Sequence, residues 1–128
     1  VNGIAGSYAE RVPVIAITGA PTRAVEKAGK YVHHSLGEGH FDSYRHMFEP
    51  ITTAQAYITT ENATTEIPRL INAAIQERRP VHLHLPIDVA LAEIEVSETF
   101  QPEDVPHQDV KKYIASKGKY NLQLHHVS

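Results

Sequence analysis

The run VPVIAITGAP, Val12 to Pro21, decides the fold. From Val12 to Thr18 apolar side chains follow one another almost without interruption, and Gly19, Ala20 and Pro21 end the run. Continuity without polar alternation is the pattern of a strand buried on both faces, as in a parallel sheet. Pro13 is then expected at the first residue of the strand, where its missing N–H does least harm.

Upstream, VNGIAGSYA (Val1 to Ala9) reads as a helix of small residues. Gly3, Gly6 and Ser7 let a neighbour approach closely, which offsets the roughly 1 kcal/mol a glycine costs a helix relative to alanine. Downstream, Phe41, Tyr44, Met47 and Phe48 are spaced for a short helix, and Ile51 to Ile58 suits a second strand. Ile67, Leu70, Ile71, Ala74 and Ile75 then lie at i, i+3, i+4, i+7 and i+8, one face of an amphipathic helix. Thr60 or Asn62 is expected to cap it. Pro68 implies a kink or a later start. Arg78 and Arg79 suit its negative end, and Pro80 stops it.

VHLHLP, Val81 to Pro86, alternates: Val81, Leu83 and Leu85 face one way, His82 and His84 the other. Sharing one strand face, the two histidines have a geometry open to a metal, but they are expected instead to be half-buried beneath a helix. Strand, loop, strand, helix, strand is the order of an α/β fold, a partial parallel sheet flanked by helices with right-handed crossovers. Residues 1–100 carry this pattern. Residues 101–128 lose periodicity and read as a linker or irregular tail.

With 128 residues the chain suits about one domain. A net charge of -3 excludes long-range attraction to nucleic acid or to an anionic membrane. No apolar run approaches the roughly 20 residues that span a bilayer. The absence of cysteine excludes disulfides and thiolate metal sites and accords with a cytoplasmic location. The opening at Val1, inside a helical pattern, suggests a cut, with strands of the fold expected before it.

KYVHHSLGEGHFDSYRHMF, Lys30 to Phe48, follows the first strand and holds His33, His34, His40 and His46. Ligands of open parallel sheets gather beyond the carboxyl ends of the strands, the side on which this segment leaves. Imidazole, with an ordinary pKa of about 6.5, gives and takes protons near neutrality. Three readings stand on the residues alone. The pair His33–His34 contacts one ligand or relays a proton; the histidines are merely solvated; or His33, His34, His40, His46 and Glu38 bind a metal such as zinc. The spacing matches no compact metal site. GxGxxG, Walker A and GxSxG patterns are all missing.

The order of motifs resembles a known family. VNGIAGSYAERVPVIAITGAPT is similar to a segment of the pyrimidine-binding domain of thiamine diphosphate-dependent enzymes. GKYVHHSLGEGHFDSYRHMFEPIT narrows the likeness to the 2-keto acid decarboxylases, whose adjacent histidines follow that strand. ENATTEIPRLINAAIQERRPVHLHLPIDVA resembles the closing helix and strand of the same domain. The likeness runs from Val1 to about Val96 and is strongest to bacterial indolepyruvate, phenylpyruvate and branched-chain keto acid decarboxylases.

The resemblance implies a non-oxidative carboxy-lyase that turns a 2-keto acid into an aldehyde and carbon dioxide. It makes His33 and His34 catalytic, as proton carriers, with His34 nearer the substrate carboxylate. It implies thiamine diphosphate and Mg2+ as cofactors. Their main binding residues lie outside this chain, since the family's activating glutamate falls upstream and its GDG…N signature far downstream. It implies a homodimer or homotetramer in the parent. A chain lacking those groups is expected to be inactive alone. Alternatives are an inactive fragment or interaction module that keeps only the fold, and a histidine-based metal binder. From about Gln101 the tail does not resemble the family.

Overall fold

Apolar β-branched residues and short connections build a three-stranded parallel sheet in the computed structural model, which describes residues 1–33 and 35–96. The elements are α1 (Asn2–Ala9), β1 (Ile15–Ala20), α2 (Arg23–Lys27), α3 (Ser43–Phe48), a 3₁₀ turn (Glu49–Ile51), β2 (Ala54–Tyr57), α4 (Ala63–Glu77), β3 (Val81–Pro86) and α5 (Ile87–Ala90). The strand order is β1-β3-β2, so β3 is central. Ile15 pairs with Val81 and Thr18 with His84 on one side; Ala54 pairs with Val81 and Tyr57 with His84 on the other. The expected α/β class and parallel sheet are what the chain forms.

Parallel register gives the sheet two unlike faces. Val81 and Leu83 with Ala54 and Ala56 form the apolar face, against which α4 lays Ala63, Leu70 and Ala74. Ile58 and Val89 complete this core. Rows of polar residues, Gln55–His82 and Thr18–His84–Tyr57, form the opposite face. Phe48 of α3 covers part of it, its ring stacked on His82 at 4.1 Å. Tyr8 of α1 lies under the Arg79 guanidinium, 4.0 Å from ring centroid to carbon.

Several expectations are corrected. β1 starts at Ile15, beyond Pro13, and includes Gly19 and Ala20. It is not buried on both faces: Ile15 is 45% and Ile17 61% exposed. The strand is at the edge of the sheet, and α4 packs chiefly over β2 and β3. The second strand is confined to Ala54–Tyr57, because Pro50 opens a 3₁₀ turn just before it.

Helix α4 begins at Ala63 and passes through Pro68, so the proline does not delay its start. Asn62 takes the cap position without capping through its side chain. Its Oδ1 accepts from the Thr59 amide and its Nδ2 donates to the Tyr57 carbonyl, closing the turn from β2. Ile67 lies outside the buried stripe, which follows Ala63, Leu70 and Ala74 at i, i+7 and i+11. The helix ends at Arg78, whose left-handed backbone (φ 51°) turns the chain toward Pro80.

Candidate active site

The polar row Thr18–His84–Tyr57 lies near the carboxyl ends of its strands, the side where ligands of parallel sheets collect. Helix α2, missed by periodicity because it has only five residues, begins there directly after β1. The Thr22 hydroxyl caps it by accepting from the Val25 amide at 3.4 Å. Arg23 donates from its amide and its Nε to the two oxygens of Asp88, at 3.0 and 2.8 Å, and so ties α2 to α5. That bond holds the Asp88 carboxyl below, and the Arg23 guanidinium above, their ordinary pKa values.

One turn on, Glu26 turns inward. Its Oε1 lies 3.0 Å from His84 Nε2, and its Oε2 accepts from the Tyr57 hydroxyl at 2.5 Å. His84 and Tyr57 also stack, ring centroids 4.9 Å apart. Assigning the His84 proton to Nε2 lets it donate to the carboxylate and leaves Nδ1 bare. That buried Nδ1 has no hydrogen-bond partner among the described residues. Burial, and then the bond to Glu26, push the Tyr57 phenol above its ordinary pKa, so it stays protonated as a donor.

Neighbouring His82 is differently placed. Its Nδ1 donates to Gln55 Oε1 and its Nε2 accepts from Thr18 Oγ1, both at 2.8 Å. A neutral ring satisfies both bonds. Burial, then the nearby His84 and Arg45, lower its pKa to about 4. Both strand histidines are fully buried, at 0 and 3% exposure, where the sequence suggested half-buried packing residues. Two imidazoles on one strand face with polar partners on both adjacent strands were the available signal. Glu26 and Tyr57, by contrast, come together only through the fold.

Glu26, Tyr57 and His84 form one wall of a cleft of about 240 Å³, and Gly39, His40, Phe41 and Asp42 form the other. The histidine segment leaves α2 and returns to this second wall. At its neck two glycines of positive φ meet, Gly29 at 60° and Gly39 at 74°. A β-carbon on Gly39 would sit 2.5 Å from the Gly29 carbonyl oxygen, so only glycine allows this crossing. Within the loop, Ser35 Oγ donates to the Val32 carbonyl and accepts from the Gly37 amide.

His33 is an exposed residue of this loop and is not among the residues lining the cleft. His34 lies outside the described residues, as do residues 101–128, which the sequence suggests are a linker or irregular tail. His40 borders the cleft, whereas exposed His46 belongs to α3 and Glu38 to the loop. Among the described residues no group of three or more His, Asp or Glu side chains is placed to share a metal ion. No helix among them is long and apolar enough to cross a membrane.

No protein-family model matches the chain. Curated relatives do. It is 43% identical over 89 residues to an alpha-keto-acid decarboxylase of Mycobacterium leprae, and 44% identical over 89 residues to one of Mycobacterium ulcerans. Each match takes in 70% of this chain and 16% of the relative. An alpha-keto-acid decarboxylase of Mycobacterium avium is 38% identical over 101 residues, 79% of this chain and 18% of the relative. The chain thus spans less than a fifth of the length of the relatives it matches. Over the segment they share, the chain is similar to part of these alpha-keto-acid decarboxylases, and that segment folds as an α/β parallel sheet.

Proposed function

We propose that the chain is the later part of the pyrimidine-binding domain of a thiamine diphosphate-dependent, non-oxidative 2-keto acid decarboxylase. Its substrate would be an aromatic or branched-chain 2-keto acid or pyruvate, and its products an aldehyde and carbon dioxide. The observation that carries this reading is the 38–44% identity to proteins named alpha-keto-acid decarboxylase across 70–79% of the chain. The departure of the histidine loop from the carboxyl-end rim of a parallel sheet supports it.

In this reading the cofactor, when bound, supplies the electron sink for loss of carbon dioxide. Among the described residues no three acidic or imidazole groups converge on a metal ion, so they do not fit Mg2+ by themselves. Those groups belong to other parts of the parent, a cytoplasmic homodimer or homotetramer. The chain's own contribution is proton handling. His34 orients the substrate carboxylate, and His33 with His34 delivers and removes protons as the aldehyde forms.

The test is made in the full-length enzyme that carries this segment. His34→Ala is expected to lower aldehyde formation by about a hundredfold, with cofactor affinity little changed. Equal losses in both would reassign the pair to cofactor binding.

A further inference from the structure

The Glu26 side chain is only 10% exposed and joins three elements: it projects from α2 and is bonded to β3 through His84 and to β2 through Tyr57. A helix of five residues has no stability of its own. What fixes α2 is its Thr22 cap, the Arg23–Asp88 fork and this buried carboxylate. Only the carboxylate acts at the end from which the histidine loop departs. There the Gly29 amide donates to the Glu26 carbonyl at 3.0 Å and the Lys30 amide to the Val25 carbonyl at 3.3 Å. The far end of the loop returns to the same place, Gly39 crossing against Gly29 and Gly39–Asp42 walling the cleft that Glu26 lines.

We propose that Glu26, clamped by His84 and Tyr57, is a positioning residue that holds both ends of the His33-bearing loop in register with the sheet rim. The proposal rests on the reading of that loop as catalytic. It touches no reacting atom; it acts through the loop. Misplacing a catalytic group by about 1 Å costs up to a hundredfold in rate, so the clamp is expected to act on kcat rather than on substrate binding.

The experiment uses the full-length enzyme. Glu26→Ala is expected to lower kcat by roughly 10- to 100-fold, leaving KM and cofactor affinity within about twofold. Limited trypsin cleavage after exposed Lys30 should accelerate in parallel. Glu26→Gln keeps an acceptor for the Tyr57 hydroxyl and should recover most of the lost rate. Unchanged kcat, a KM rising in step with the loss, or unaltered cleavage at Lys30 would each overturn the proposal. If Glu26→Ala does not fold, Tyr57→Phe, which removes one oxygen, decides by the same readouts. His33→Ala separates the two ideas. If it leaves aldehyde formation untouched, the catalytic reading of the loop fails, while the Lys30 cleavage still reports whether Glu26 holds it.

Discussion

Gly39 and Gly29 cross so closely that a β-carbon on Gly39 would lie 2.5 Å from the Gly29 carbonyl oxygen. The same atom built on Gly29 would meet only the Gly39 oxygen, at an ordinary 3.7 Å. The two positions are therefore unequal. Gly39→Ala is expected to destabilise by about 2–4 kcal/mol, backbone strain and a clash together. Gly29→Ala should cost only about 1–2 kcal/mol, for its left-handed φ alone. Urea denaturation at low protein concentration measures both, and equal losses would refute the crossing.

Acid should unfold the protein partly through His82. Its folded pKa of about 4 lies below the ordinary 6.5, so the unfolded chain takes up a proton first. Its contribution is therefore complete above about pH 6.5 and is lost as pH falls toward 4. A lowering from 6.5 to about 4 corresponds to at most roughly 3–4 kcal/mol. His82→Gln should flatten that limb of the stability–pH curve, and an unchanged limb would exclude His82 as its source.

Leu70 is 1% exposed at the centre of the α4 face, whereas Ile67 lies at its margin. Leu70→Ala is expected to cost about 2–5 kcal/mol, and Ile67→Ala less than about 1 kcal/mol. A reversal in the denaturation midpoints would mean that α4 packs in a different rotation.

Ile15 and Ile17 leave an apolar stripe on an edge strand, which invites intermolecular pairing. The purified 128-residue chain should scatter light increasingly with concentration. Ile17→Thr should suppress the scattering at little cost in stability. A sharp, concentration-independent melt of the unmodified chain would contradict this.

The same 128-residue chain is expected to form no aldehyde from 2-keto acids, even with thiamine diphosphate and Mg2+ added, because it spans less than a fifth of the length of the decarboxylases it matches. A coupled aldehyde assay above background would refute that expectation.

The sequence by itself determined the α/β class and the strand Val81–Pro86, because hydrophobic periodicity and proline punctuation act locally. It also singled out the loop carrying His33 and His34, since a histidine pair after a strand is visible without coordinates. Local pattern failed for β1, where continuous apolar residues implied two covered faces. Burial depends on which helix lies above a strand, and α4 lies mainly over its neighbours. Only the tertiary structure brought Glu26 to Tyr57 and His84, residues 31 and 58 positions away. Parallel strands connected by crossovers place distant segments side by side, and no short-range spacing records that meeting.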